Sequence, residues 1–331
     1  MDPLRALLTP SKWGQRHRTL AVCIGAYFGV RFCQVLVGSI VPGIISAFGV
    51  SRGTIGLGLT GMWVLYALVQ VPSGVFADRY GERTVVTAAL LLTALATLGV
   101  AGAPVFAVFA IAVAAIGAGA GIYYNPATTL LDRTGGPVGR AIGFHRTGGQ
   151  LAGVAAPASA ALVGLRYGWR ETVVLGSVCV AIVAVAFVRG TRSLEPQRPS
   201  ESMPELFDTD LLSALLTRHS RTTLMMTLVE FVGVVAMAFL PTIFLERHGV
   251  GQTRANLLFA LFFAIGAVSQ PIAGWLSDRY GRDRTIAVLA VAGVVGTIAN
   301  VSGWPPAIGV LSLLFAIVLA VSVTTAPPAP S

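Results

Sequence analysis

Two short charged runs interrupt an otherwise apolar chain, and they share one spacing. GVFADRYGERT at 74–84 recurs as GWLSDRYGRDRT at 274–285, an offset of 200 residues. Each run places a carboxylate, Asp78 or Asp278, one turn after a glycine, Gly74 or Gly274, and just before a second one, Gly81 or Gly281. A carboxylate at a helix end can sit against the positive end of a neighbouring helix and accept its free backbone N–H groups. A glycine one turn earlier lets that helix come close, and the later glycine supplies a tight turn. Arg79, Arg83, Arg279 and Arg284 accompany the two aspartates. They can grip carboxylates elsewhere in the chain, or serve only as anchors on one side of a membrane. These ten residues are the gating candidates.

Charge also stands alone inside apolar runs. Arg31 lies 13 residues past Arg18, which is roughly 20 Å into a bilayer at about 1.5 Å per helical residue. Glu230 lies nine residues past Arg221. Such a residue costs about 2.5–3.5 kcal/mol on insertion scales, so it faces a cavity or a partner. Arg31 and Glu230 each stand eleven residues before a proline, Pro42 and Pro241, the same place in two repeats. Tyr27, Arg31 and Gln34 form one helical stripe, and Trp63, Tyr66 and Gln70 form a similar one on the second helix. Tyr123, Tyr124 and Asn125 stand beside Pro126 in the fourth. The substrate-binding candidates are therefore Arg31, Glu230, Tyr27, Gln34, Trp63, Tyr66, Gln70 and Asn125. Ordinary packing is the alternative for the aromatics, and a structural ion pair or snorkelling for Arg31 and Glu230.

The elements that must position these residues follow from composition. Of 331 residues 55% are hydrophobic and 11% charged, with a mean hydropathy of +0.77. A soluble domain carries about 25% charged residues, so most of this exterior must face lipid. Ten apolar runs are long enough to span a bilayer, at roughly 19–47, 54–77, 85–101, 104–130, 141–165, 170–188, 222–245, 253–277, 285–302 and 306–325. With the N-terminus in the cytoplasm, sixteen Lys and Arg residues of the connectors fall on the cytoplasmic side and five outside. That bias places both termini in the cytoplasm, for a multi-pass protein of the cell membrane. The net charge of +9 is spread over short connectors, which argues against a nucleic-acid stripe. Cys23, Cys33 and Cys179 lie in apolar runs without pairing or metal-ligand spacing. The polar, proline-bearing first 18 residues do not read as a cleavable signal. No zinc spacing, nucleophile elbow or Walker sequence occurs, and GAGAG at 117–121 reads as close helix packing. Neither an enzyme nor a cofactor is expected, and transport would draw on a gradient or run downhill.

The doubled run extends into a longer repeat. Phe48-Gly49-Val50 matches His248-Gly249-Val250, and Pro72 and Pro271 precede the two copies. Two homologous bundles, 1–188 and 221–331, are joined by a polar linker at 189–220, an arrangement of parallel repeats. With its doubled Gly-x-x-x-Asp-Arg-x-Gly, the chain resembles the major facilitator superfamily. Gly149-x3-Gly153-x3-Pro157 and Gly168-Trp169-Arg170 are a weaker echo, with Ala156 where the antiporter form of that motif has glycine. The family has twelve helices, whereas here the second half shows four, ending at VTTAPPAPS. The resemblance implies that the first signature packs on an eleventh helix and the second on the fifth. It implies an all-α integral membrane bundle that rocks about a midplane site by alternating access. The expected partners are a small solute, a coupling proton or ion, and the lipid bilayer. Arg31 points to an organic or inorganic anion as solute. A non-transporting membrane protein or a truncated transporter fragment is the alternative.

Overall fold

The computed structural model describes residues 14–199, 263–264, 267–268, 271–281 and 284–285, and among them every regular element is helical. They are α1 (Gln15–Ser39), α2 (Val41–Phe48), α3 (Arg52–Leu68), α4 (Gln70–Tyr80), α5 (Glu82–Ala101), α6 (Phe106–Arg133), α7 (Val138–Ser159), α8 (Leu165–Tyr167) and α9 (Trp169–Gly190), followed by α10 (271–280). Helices α1, α5, α6 and α9 are each long and apolar enough to cross a membrane, and α3 with α4 adds a fifth span if the bent pair is counted as one. The expected runs at 222–245, 285–302 and 306–325 lie outside the described residues, apart from the edge of the second of these.

Three expected spans are interrupted, each at a proline. Proline has no N–H to bond the carbonyl four residues back. Pro42 therefore cannot donate to the Gly38 carbonyl, and the first run breaks at Ile40 into α1 and α2. Pro72 likewise cannot donate to the Leu68 carbonyl, and α3 and α4 meet at a 43° bend. Pro157 precedes a π-helical stretch, Ala160–Gly164, that ends the fifth run, a usual response to an interrupted ladder.

The chain divides into two units, Met1–Gly136 with Leu151–Ser202, and Pro137–Gln150 with Met203–Ser331. The first has a contiguous core in which Cys23 and Val30 of α1, Met62 of α3, Leu90 of α5, Phe109, Ile116 and Tyr123 of α6 and Phe187 of α9 are buried. In lipid there is little hydrophobic gain from joining two helices, so close packing through small residues carries association. The GAGAG run of α6 does this on two sides. Gly117 and Gly121 approach the Met62 and Tyr66 carbonyls of α3 too closely for a Cβ, and Gly119 does the same to Thr93 of α5. Leu57, Leu95, Ile111, Leu162 and Ile182 point outward, each at least 65% exposed, an exterior suited to lipid. In the second unit, the Thr147 hydroxyl of α7 donates to the Ala267 carbonyl at 3.1 Å.

Candidate functional site

The stripe on α1 meets α3 and α6 inside the first unit. The Arg31 guanidinium donates from Nη1 to Gln34 Oε1 at 2.9 Å, a bond their three-residue separation on one helix face allows. Its carbon lies 5.7 Å from the centre of the Trp63 ring, within cation–π range. Trp63 and Tyr66 are edge to face at 5.6 Å. Tyr27, one turn before Arg31, lies 5.7 Å from Tyr124 and 6.1 Å from Tyr123. The Tyr123 hydroxyl donates to the Cys23 carbonyl of α1 at 2.9 Å, which pins the aromatic cluster to that helix. Arg31 has no carboxylate within salt-bridge reach among the described residues.

Asn125 and Gln70 meet in another way. Asn125 Nδ2 donates to the Gln70 carbonyl at 2.7 Å, and the Ser73 hydroxyl donates to the same oxygen at 2.6 Å. Gln70 opens α4 just past the bend, so this side-chain amide supports the main chain where the ladder is disturbed. Glu230 lies outside the described residues.

The first signature forms the junction of α4 and α5. Gly81, at φ +83°, makes the turn, a left-handed backbone that glycine adopts without strain. Glu82 opens α5, is 1% exposed, and is bonded at Oε1 by Arg133 Nη1 at 2.6 Å. Arg133 Nη2 donates to the Glu195 carbonyl at 2.8 Å, and Arg83 Nη2 to the Val188 carbonyl at 2.7 Å. The Arg198 N–H donates to the Asp78 carbonyl at 2.8 Å, and Arg79 lies over Tyr80 at 5.5 Å. The start of the expected linker is thus laid along this loop. Sequence reading missed the Glu82–Arg133 pair; Glu82 beside the motif glycine and Arg133 at the end of the fourth run were the only signals for it.

In the second unit the Asp278 carboxylate caps a helix start. It accepts from the Gly139 N–H at 2.9 Å and the Arg140 N–H at 2.8 Å. Both belong to the first turn of α7, where N–H groups have no partner within the helix, and the dipole there favours an anion. Gly274 faces the Gly139 carbonyl so closely that a Cβ would overlap it. Gly281 turns at φ +87°. Arg279 lies 5.5 Å from the Trp275 ring and 5.7 Å from that of Tyr280, and Arg284 is exposed.

Known proteins resemble this chain in sequence and in fold. The sequence profile of the Major Facilitator Superfamily matches residues 23–331. The chain is 30% identical over 233 residues to a probable nitrate/nitrite antiporter of Thermus thermophilus, covering 66% of this chain and 51% of the antiporter. It is 26% identical to a probable sulfoacetate transporter of Cupriavidus necator, covering 80% and 65%. It is 25% identical to a 4-hydroxybenzoate transporter of Pseudomonas aeruginosa, covering 94% and 75%. The chain thus spans about half to two-thirds of the length of the first two relatives. Among solved structures, a human organic anion transporter superposes with a TM-score of 0.71 at 16% identity, over 95% of this chain and 85% of that one. A proton:xylose symporter gives 0.69 at 14%, over 93% and 79%. These two likenesses concern the fold alone. With the profile reaching across nearly all its residues, the chain belongs to the Major Facilitator Superfamily.

Proposed function

We propose that the protein is a secondary active transporter that moves a small anionic solute across the cell membrane by alternating access. The observation that carries this reading is Arg31, held by Gln34 and Trp63 in mid-helix without a carboxylate partner among the described residues. A membrane-buried cation so placed is expected to serve a ligand or a pathway. Relatives named for nitrate and nitrite, sulfoacetate and 4-hydroxybenzoate handle anions, which supports the same direction.

In this reading Arg31 anchors the anionic group, while Tyr27, Gln34, Trp63, Tyr66, Gln70 and Asn125 surround the solute or hold the helices that do. Glu230 takes a coupling proton or balances the anchor's charge. The two signatures gate the cytoplasmic side, through Asp78 in one half and Asp278 in the other. Ten spans, cytoplasmic termini and two bundles joined at 189–220 complete the proposal.

The test is flux. Purified protein in liposomes should take up labelled nitrate or 4-hydroxybenzoate above empty vesicles when a proton gradient is imposed, and Arg31→Gln should lose that uptake. Glu230→Gln should still exchange solute for solute but fail to concentrate it. Uptake by Arg31→Gln equal to that of the parent would overturn the anchor. No flux for either anion would leave the non-transporting alternative.

A further inference from the structure

Within the first unit, Gln34 is 3% exposed, yet only half of its amide is used. Oε1 accepts from Arg31 Nη1, whereas Nε2 is buried with no hydrogen-bond partner among the described residues. The amide cannot be turned to relieve this, because turning it would set its NH2 against a guanidinium N–H, donor against donor. Buried donors are normally satisfied, so one left open beside a cation calls for an acceptor. Arg31 adds to the demand. With Nη1 committed to Gln34, its Nε–H and Nη2–H remain as two parallel donors, the edge that grips two oxygens of one group. The polar groups that these two side chains leave open are therefore all donors. Against these two side chains an oxyanion brings acceptors only, whereas each hydroxyl of a neutral polyol also brings a hydrogen that neither can accept.

The charge count narrows the class further. Among the described residues of the first unit Arg31 is the one charged side chain away from the helix ends; the others, from Arg16 and Arg18 to Arg170 and Arg189, lie at or near termini. With Glu230 protonated and neutral, a single cation in a low-dielectric setting balances a single negative charge, and a dianion would keep one unpaired.

We infer that Arg31 and Gln34 form a donor-only cradle for the head group of a monovalent oxyanion, a monocarboxylate or nitrate, with Gln34 as a second binding residue that sets specificity. This rests on the anion-transport reading above and narrows it. Trp63 over the guanidinium and Tyr27 one turn away suit the flat face of nitrate or of an aromatic acid equally, so the experiment must separate those two.

The test is ligand stabilisation of the purified protein, since a ligand that binds only the folded state raises its melting temperature. Sodium nitrate, benzoate, acetate, sulfate and phosphate would be titrated at matched ionic strength, with Arg31→Gln as the control for general salt effects. Nitrate, or benzoate with acetate, should stabilise the parent at concentrations at least about tenfold lower than sulfate or phosphate, and the effect should vanish in Arg31→Gln. Nitrate alone marks an inorganic cargo, and benzoate and acetate mark a carboxylic one. Gln34→Met, which keeps the length and removes both polar atoms, should raise the half-saturating concentration about tenfold, the loss of one hydrogen bond to a charged group. Arg31-dependent binding of sulfate as tight as that of the monoanions would overturn the inference and leave the anion reading standing. A folded Gln34→Met with unchanged half-saturation would overturn the role of Gln34. If that variant does not fold, the anion series on the parent still decides the class. No Arg31-dependent stabilisation by any of the five would overturn both readings.

Discussion

The Glu82–Arg133 pair joins the first signature to the end of α6 and should behave asymmetrically when cut. Glu82 is 1% exposed, whereas the Arg133 side chain is 27% exposed. Removing one member of a buried pair costs about 3–5 kcal/mol when the other is left in a dry place. Arg133→Met does this, because it strands Oε1 of Glu82 beside an Oε2 that already has no hydrogen-bond partner among the described residues, and it also drops the bond from Nη2 to the Glu195 carbonyl. Glu82→Gln is milder, since the amide oxygen can still accept from Arg133 and the partly exposed guanidinium can turn to water. A cost of about 1–2 kcal/mol is expected there. Joined in one chain, the two changes should cost less than their sum by roughly 1–3 kcal/mol, because the second no longer breaks an interaction. Thermal unfolding in detergent with a thiol-reactive dye reads this directly. Cys23 and Cys33 are fully buried and react only when the bundle opens, and Cys179, which is partly exposed, would be replaced by serine in every variant. Arg133→Met should lower the midpoint by on the order of 10 °C, at about 2–4 °C per kcal/mol. Equal losses from the two single variants, adding fully in the double, would refute the reasoning.

Three further outcomes follow from the loops. Asp278→Asn keeps one acceptor for the two N–H groups of α7 and removes the charge from its positive end; with Asp278 exposed, about 1–2 kcal/mol is at stake. Flux should fall about five- to thirtyfold with the amount of protein in the membrane unchanged, and unaltered flux would count against a gate there. Gly274→Ala places a Cβ against the Gly139 carbonyl, whereas Gly74→Ala meets nothing within 4 Å among the described residues. The dye-monitored midpoint should therefore fall for the first, by the equivalent of about 1–3 kcal/mol, and hardly move for the second. Cysteines introduced at 195 and 280 should react with an impermeant thiol reagent from the cytoplasmic side and one at 168 from outside; 168 and 280 reacting from the same side would refute the topology.

What the sequence made legible was set by strong, repeated physics. Long apolar runs in the first half, with arginines between them, are set by the cost of charge and bare backbone in lipid, and α5, α6 and α9 begin and end within about three residues of the expected limits. The turn at Gly81 was readable because only glycine holds that backbone easily. The stripe on α1 was readable as a stripe. That Tyr27 reaches Tyr124, or Arg31 reaches Trp63, was not, because periodicity fixes a face and says nothing of what lies opposite. The breaks at Ile40 and Val69 were missed in runs read as continuous. Hydropathy is continuous through both, and only the missing N–H groups of Pro42 and Pro72 mark the interruption of the helix ladder. Asn125 shows the same gap: its place beside Pro126 gave no sign that its amide donor would meet the Gln70 carbonyl at the start of α4.

The two signature copies show where a shared motif stops constraining structure. Gly81 and Gly281 turn through nearly the same φ, +83° and +87°, since that angle is decided by residues adjacent in sequence. The partners are decided elsewhere. Asp278 offers its carboxylate to the first turn of α7, while Asp78 takes the Arg198 N–H on its main-chain carbonyl, and the neighbouring charge is balanced by Glu82, where the second copy has Arg282. Glutamate at that position lets the first loop hold Arg133 and through it the segment after α9. Arginine at the matching place offers no acceptor for such a bond. One residue after the glycine, rather than the motif itself, therefore separates a loop tied into its own bundle by an ion pair from a loop that carries arginine at the matching place, and the two motif copies should not be treated as interchangeable.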